Sequence, residues 1–595
     1  MELSPEQQAV VDAPLVPLAV IACAGSGKTA TAIHRLIAVR KLLGPARSRV
    51  ALLSFSNVAV DTFRNGYQAL AHFLPQGMGR TRVDIDTLDG FITAHILRPH
   101  AHRTMGAGQS AYLVTGNEDF LANYTIRTAN YPIPVTQIRA GFTEGHLSFY
   151  YDYFGQRVRL DQNLAVQVIN RLGRIGAYTH DLGRYWCYRT LHDQPYILQA
   201  LARCYSQVIV DESQDIGSLH QAILEMLAAA GVQISLIGDP CQSIYEFAGA
   251  DGEFLRNYRD RPSVLAFSLT RNFRSLPSIL VPANHISDRN DEAHRAAAAE
   301  PNGAYFIGYS EAELPQLLDA FHAEVGNVGL TANKCAILCR ANALAARLAG
   351  VHEPGGRGVV KIFAEAALLR DRQRDFMSAY KNVVRAIVTL LDSPPHDLMA
   401  KLSNRALQPE IRKMKHILWG FTRNPEVGLP HSHLPADGQW HEHLLERVRG
   451  VLERIEQDFG LAPVENLGRK LARNALGREP LDAGADLAAD RGPRIRVQTV
   501  HQVKGESIDA VLYVATRQHV EALLQGVDTE LGRIGYVAVT RARNLLWLGV
   551  PSAALGALRP ALLAAGFREA GTRVLEQGDT EPAENQLAPA AHLGN

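Results

Sequence analysis

The chain has 595 residues, 47% of them apolar, with 61 Lys plus Arg against 60 Asp plus Glu. That length exceeds a single hydrophobic core and asks for roughly four compact units, while the near-zero charge balance excludes a protein that is basic throughout and confines any polyanion-binding surface to a local patch. Six cysteines without paired spacing argue against a disulfide framework and for a reducing, cytoplasmic setting, and no apolar run approaches the ~18 residues needed to span a bilayer.

The first predicted element is a helix opening on "LSPEQQ", with Ser4 as N-cap, Pro5 at the first helical position and Gln7 three residues after the cap. Capping alone accounts for Gln7 without any ligand. The apolar run "LAVI" then enters "ACAGSGKTA", Ala22 to Ala30. A strand, a glycine-containing turn and a helix in that order aim backbone N–H groups and the positive helix end at one point, which suits a phosphate. Within the loop Ala24–Thr29, Gly25 and Gly27 let the backbone approach, Ser26 lies between them, Lys28 would reach the β- and γ-phosphates, and the Thr29 hydroxyl would ligate Mg²⁺. The first position of the G-x-x-x-x-G-K-T pattern is Ala22 rather than Gly.

"VALLSFS" follows as a second buried strand. Residues 92–200 are rich in Arg, Tyr and His and are predicted mostly helical; Arg171, Arg174, Arg184 and Arg189 there form either a phosphate footprint or a solvated helix face. The strand "QVIVDES" ends on Asp211 and Glu212, the first placed to hold a metal's water shell and the second to activate an attacking water. "VQISLIGDP" is the next strand. A second group comprises "AILCRAN", "RIRVQTV", "VLYVAT" and "LLWLGV". Runs of this kind read as parallel strands buried on both faces, so the two groups predict two doubly wound α/β domains.

Between them, residues 366–488 carry amphipathic patterns such as "RDFMSAYKNVVRAIVTLL" and are bordered by the breaker-rich "HEPGGRG" and "REPLDAGADLAADRGP". "HSHLPADGQWHEH" offers His431, His433, His441 and His443 either as a zinc site or as a polar loop between helices, and Cys335 and Cys339 read as buried thiols. From Ser552 onward the Ala-, Pro- and Glu-rich tail predicts a short helix followed by disorder.

Taken together, these segments resemble the UvrD/Rep type of superfamily 1 DNA helicase, motif by motif from Leu3 to Arg543. The resemblance implies an α/β fold of two RecA-like doubly wound parallel-sheet domains, each with an inserted mostly helical domain. Residues 1–91 and 201–262 would form the first RecA-like domain and 92–200 its insert. Residues 263–365 and 489–552 would form the second, 366–488 its insert, and 553–595 a partly disordered C-terminal tail. In that family the residue matching Gln7 reads adenine. "LSFSNVAVDTF" resembles motif Ia, with Phe55, Ser56 and Asn57 against single-stranded DNA, and "DTLDGF", with Thr87 and Phe91, resembles motif Ib.

"IGDPCQSIYEFAGA" resembles motif III: Gln242 would sense the γ-phosphate, and Tyr245 and Phe247 would lie between the ATP site and the bases. "TRNFRS" resembles motif IV, Phe273 stacking on adenine and Arg274 meeting the γ-phosphate. "AILCRAN" supplies Arg340 and Asn342 on the family's next strand. In "TVHQVKGES", similar to motif V, Thr499 and His501 would face DNA and Glu506 the ribose, and "YVAVTRAR" gives Arg541 as the second phosphate-sensing arginine. Ala30, Val58 and Ala248 depart from the usual Arg, Lys and Arg, which bears on grip rather than on hydrolysis.

The implied activity is an ATP- and Mg²⁺-dependent translocase or helicase of 3′-to-5′ polarity on single-stranded DNA or tailed or forked duplex, with no membrane association. The alternative is an ATP-dependent DNA-sensing motor subunit of an anti-phage or repair complex, resembling the helicase-like subunit of Gabija-type systems, that licenses a partner nuclease. A P-loop and arginines on separate domains can share a phosphate only if the domains close on it, and such an arginine is worth ~10³–10⁵ in rate.

Overall fold

The computed structural model describes residues 3–75, 81–116, 118–128, 131–143, 145–153, 156–246, 249–250, 252–349, 355–372, 374–403, 408–482 and 495–570. Phe247 and Ala248, the border segments 351–354 and 483–494, and residues 571–595 with the expected disordered tail lie outside that set. The chain forms two units, Met1–Thr270 with Gly350–Gly492, and Arg271–Ala349 with Pro493–Asn595.

The first unit holds β1 (Leu18–Ala22), β2 (Arg49–Ser54) and β3 (Val83–Thr87). Then come β4 (Arg139–Thr143), β5 (His146–Tyr153) and β6 (Gln156–Arg159) within the first insert, followed by β7 (Tyr205–Val210), β8 (Gln233–Gly238) and β9 (Leu265–Leu269). The main sheet runs β9-β1-β8-β7-β2-β3 with every neighbour parallel. Its central strands are β-branched and leucine-rich runs with buried side chains, as expected when helices cover both faces. Around it lie α1 (Pro5–Asp12), α2 (Lys28–Leu43), α3 (Asn57–Ala71), α4 (Leu88–Ile92), α5 (Gln162–Arg174), α6 (His180–Asp193) and α7 (Ser218–Ala229).

Beside its helices the first insert carries the antiparallel sheet β4-β5-β6, which the composition of residues 92–200 does not announce. It shares one core with the main sheet, where Leu53, Phe91, Ile96, Trp186 and Val210 are all buried. The second insert packs helices Gly358–Asp371, Phe376–Thr389, Pro409–Arg423 and His441–Phe459 around Phe363, Val383, Leu418, Trp440 and Leu444. Tyr380, Val383, Val384 and Ile387 fall on one buried helix face, the periodicity by which the segment was read. Although it interrupts the second group of strands in sequence, this insert belongs by contact to the first unit: the Phe120 ring lies 4.3 Å from His396, and Thr115 Oγ1 donates to Met399 Sδ at 3.1 Å.

The second unit has β10 (Gly303–Tyr309), β11 (Ala336–Cys339), β12 (Arg496–Thr499), β13 (Ile508–Val514), β14 (Ala542–Pro551) and β15 (Arg568–Glu569). Their order is β12-β11-β13-β14-β10-β15, again parallel throughout. Its helices include α8 (Pro277–Ser287), α9 (Glu530–Arg541) and α10 (Ser552–Ala564). Two borders differ from the sequence expectation. β9 extends the first sheet past residue 262, and α10 with β15 extends the second unit past residue 552.

Candidate nucleotide and nucleic-acid sites

β1 delivers the chain to the loop Cys23–Gly27, which turns into α2 with Lys28 and Thr29 as its first two residues. Gly25 and Gly27 have φ of 72° and 79°, in the left-handed region that glycine enters without a Cβ penalty. A Cβ on Gly27 would lie 2.6 Å from Gln7 Nε2. Ser26 Oγ donates to Cys23 O at 2.9 Å, and Lys28 Nζ donates to the same carbonyl at 3.2 Å, so the lysine folds over its own loop. The free N–H groups of the first turn of α2 point out of the helix end, where the macrodipole favours an anion.

Gln7 makes the cap that the sequence predicts and also reaches the phosphate loop. Ser4 N donates to Gln7 Oε1 at 2.9 Å and Gln7 N donates to Ser4 Oγ at 3.3 Å, a complete capping box, while Gln7 Nε2 donates to Ser26 O at 2.9 Å. The cap therefore fastens α1 to the phosphate loop.

Asp211 follows β7 and is 1% exposed. Thr29 Oγ1 donates to its Oδ2 at 3.4 Å, and its Oδ1 is buried with no hydrogen-bond partner among the described residues. A hydroxyl and an unsatisfied buried carboxylate oxygen are hard donors of the kind Mg²⁺ takes, so the residues fit the ion. Burial, then the charge of Glu212, pushes the Asp211 carboxyl up to about 7, against the pull of Lys28. Glu212 has φ 53°, a left-handed conformation that costs a non-glycine residue ~1–3 kcal/mol and that recurs at functional sites. Its Oε2 accepts from Gln214 Nε2 at 2.5 Å. Past β8, Gln242 is buried and its Nε2 donates to Asp239 Oδ2 at 2.8 Å.

The candidate DNA contacts of this unit stand at the ends of the same sheet. Ser56 caps α3, its Oγ accepting from Ala59 N at 3.1 Å, and Thr87 caps α4, its Oγ1 accepting from Gly90 N at 2.9 Å. Ser56 and Asn57 are exposed, as is Val58 at 73%, an apolar side chain in solvent. Phe55 is half-buried, its ring meeting the edge of His220 with centroids 5.9 Å apart. Tyr245 is also half-buried, and burial raises its hydroxyl to about 12. Phe91 is 2% exposed and belongs to the core.

In the second unit Arg274 and Arg541 meet at Thr540. Arg274 Nη1 donates to Thr540 O at 2.9 Å, and Arg541, 1% exposed, donates from Nε to Val537 O at 3.2 Å and from Nη1 to Glu506 O at 3.2 Å. Glu506 is ion-paired with Arg496, and Phe273 packs against His294 with ring centroids 4.8 Å apart. Arg340 and Thr499 sit together at the other edge of the sheet, Cys339 pairing with Thr499 in register. Thr499 is buried, His501 half-buried, and Arg340 and Asn342 exposed. Residues 500–507 therefore run from the C-terminal end of β12 to the N-terminal end of β13, joining the two edges.

Several other sequence candidates bond to protein groups, while Arg171 and Arg174 are exposed. Arg184 forms a bidentate pair with Asp89 at 2.7 and 2.9 Å, and His220 Nε2 lies 2.8 Å from the same carboxylate. Burial alone would raise Asp89, but the hydrogen bonds from Arg184 and His220 hold it far below the usual carboxylate range. Arg189 pairs with Asp193, and Arg171 donates to Asn123 O. No group of three or more His, Cys, Asp or Glu among the described residues could hold a metal; His441 Nε2 contacts Leu471 O at 2.8 Å instead. Cys335 and Cys339 are buried free thiols. Sequence reasoning missed Gln214, Asp239, Asp89 and His220. The cue for Asp239 was present in "IGDP", a carboxylate just past a parallel strand.

Residues 3–144 and 149–262 match the UvrD/REP helicase N-terminal domain. DNA helicase II of Escherichia coli is 26% identical over 57% of this chain and 48% of its own length. The putative ATP-dependent DNA helicase YjcD of Bacillus subtilis is 24% identical over 62% of this chain and 54% of its own. Against these two relatives the chain spans about half their length. ATP-dependent DNA helicase UvrD2 of Mycobacterium tuberculosis is 24% identical over 91% of this chain and 77% of its own. The strand order, the phosphate loop with its carboxylate partner and these matches agree in their likeness to the UvrD/Rep helicases, whose N-terminal domain residues 3–144 and 149–262 match.

Proposed function

We propose that this protein is an ATP-dependent motor on single-stranded DNA that moves 3′ to 5′ and opens tailed or forked duplex. The observation that carries the reading is the Thr29–Asp211 contact, which sets a phosphate-binding helix end beside a buried carboxylate with an unsatisfied oxygen. The loop and Lys28 hold the triphosphate, Thr29 and Asp211 hold Mg²⁺, and Glu212 takes the proton of the attacking water. Held there, Mg²⁺ would supply charge neutralisation to the phosphates. Arg274 and Arg541 answer the charge that develops on the transferred phosphoryl group. Gln7 and Phe273 take the adenine, and Glu506 the ribose. Phe55, Ser56, Asn57, Thr87, Tyr245, Arg340, Thr499 and His501 contact DNA.

Single-stranded binding without sequence choice rests on stacking, at ~1–3 kcal/mol per base. The matched relatives are named as DNA helicases, two of them ATP-dependent, which supports the same class. The test is ATP hydrolysis with and without single-stranded DNA, run beside strand displacement on 3′- and 5′-tailed duplexes. DNA should stimulate hydrolysis, Glu212→Gln should abolish it while ATP still binds, and 3′ tails alone should support displacement. Equal hydrolysis with and without DNA, or displacement from 5′ tails only, would refute the reading.

A further inference from the structure

Glu212 is held by a residue that no motif role covers. Gln214 is fully buried, its Nε2 donating to Glu212 Oε2 at 2.5 Å while its Oε1 accepts from Asp239 N at 3.0 Å. Asp239 in turn accepts from Gln242 Nε2 at 2.8 Å and from Cys241 N at 3.1 Å, and the carbonyl of Gln214 accepts from Ser243 Oγ at 3.1 Å. The two ends of one side-chain amide thus bridge Glu212, the second residue after β7, and the start of the loop after β8. A primary amide is the group that can do this, since it donates to a carboxylate at one end and accepts from a backbone N–H at the other. The packing leaves it little freedom: a Cβ on Gly238 would lie 2.5 Å from Gln214 Oε1.

We propose that Gln214 is a positioning residue that makes the placement of the Glu212 carboxylate follow the loop Asp239–Tyr245, so that DNA stacked on Tyr245 and phosphate sensed by Gln242 are both felt at the attacking water. This rests on the reading of Glu212 as the base and of Tyr245 as a DNA contact. Glu212 is poised to respond, because its left-handed backbone is sustained only by its surroundings. Movement of the Asp239 N–H pulls one end of the amide, and the other end moves the carboxylate with it. A hydrogen-bonded link of this kind, with each buried atom paired, transmits displacement because breaking any member leaves a buried polar group unsatisfied.

The experiment measures kcat and KM for ATP, with and without saturating single-stranded DNA, for Gln214→Met, which keeps the volume and removes both hydrogen bonds. The ratio of DNA-stimulated to DNA-free kcat should fall by about tenfold, a typical coupling between linked sites, while KM for ATP stays within about twofold. Gly238→Ala, whose Cβ would crowd the Gln214 amide most closely and also Leu255 and Ser213, removes no polar group; it should lower the ratio in the same direction and stands in if Gln214→Met does not fold. A ratio that survives in both variants overturns the proposal, as does a proportional loss of both rates, which would mark a purely structural glutamine. Glu212→Gln run in parallel separates the two levels. If it abolishes turnover while the Gln214 ratio is unchanged, the tether fails and the motor reading stands; if Glu212→Gln turns over normally, the base assignment itself falls.

Discussion

The two parallel sheets offer opposite ends to the residues proposed for the nucleotide. In the first unit the phosphate loop, Asp211 and Gln242 all follow the C-terminal ends of strands. In the second, Glu506 precedes β13 and Arg541 closes α9 immediately before β14, while Arg340 and Thr499 occupy the C-terminal ends. The difference follows from helix polarity. A helix N-terminus presents spare N–H groups and partial positive charge, so α2 can bind phosphate with its backbone. The C-terminus of α9 presents carbonyls and partial negative charge, which repel phosphate and stabilise a guanidinium. Only side chains long and cationic enough to turn that end around can contribute, and the structure puts Arg541 and Arg274 there, both bound to carbonyls of α9.

The largest expected effect tests that contrast. Arg541→Ala should lower DNA-stimulated kcat by ~10³-fold or more, the range for an arginine that answers phosphoryl charge, with nucleotide affinity changed far less. Arg541→Lys should recover little, because a point charge replaces a planar fork that spans Val537 O and Glu506 O. Steady-state hydrolysis beside equilibrium binding of a non-hydrolysable ATP analogue reads both. A loss below tenfold would mean that Arg541 does not act on the transferred phosphoryl group.

A middle-sized effect belongs to the first unit's edge. Burial, with the charge of Glu212, disfavours the ionised form of Asp211 and pushes its carboxyl up to about 7. A carboxyl whose folded value is raised binds a proton that the unfolded chain has already released, so its contribution to stability falls as pH rises from about 4 through about 7. Metal-bound nucleotide needs the anion. Binding of a non-hydrolysable analogue with Mg²⁺ at pH 6 should therefore release a proton, seen as a binding enthalpy that depends on buffer ionisation, and the dependence should vanish at pH 8.5 and in Asp211→Asn. A buffer-independent enthalpy at pH 6 would show that the carboxylate is already ionised.

What was legible in the sequence follows the same physics. Most strands read from β-branched runs, such as "QVIVDES" and "VLYVAT", are interior and buried, so their composition is fixed by burial; "RIRVQTV" is the exception, forming the edge strand β12, and the buried β10, with its glycines and tyrosines, was not read. The edge strands β3 and β9 were missed because one side is solvated: "VDIDT" is half-exposed throughout, and most of β9 is exposed. The insert sheet β4-β5-β6 was missed for a similar reason, its strands mixing Arg and Tyr with few aliphatic residues. Among site residues, Lys28, Thr29 and Asp211 were legible because local spacing places them. Gln214 was not, since its partners Glu212 and Asp239 are brought together only by β7 and β8 lying side by side.

The smallest expected effect separates two roles held by one side chain at that edge. Gln7 Oε1 accepts one hydrogen bond from Ser4 N, and Nε2 donates one to Ser26 O, which leaves each end of the amide a second valence. An amide with one donor and one acceptor to spare has the pattern that the N6 and N7 edge of adenine asks for, and Gln7, 1% exposed, would have to be uncovered to offer it. Ser4→Ala removes the cap hydroxyl and should cost ~0.5–2 kcal/mol, read as a lower thermal midpoint, with KM for ATP unchanged. Gln7→Ala should lower the midpoint similarly and, in addition, raise KM for ATP and narrow the preference for ATP over GTP. If Gln7→Ala changes stability alone, the amide only fastens α1 to the phosphate loop, and the adenine must be recognised from elsewhere.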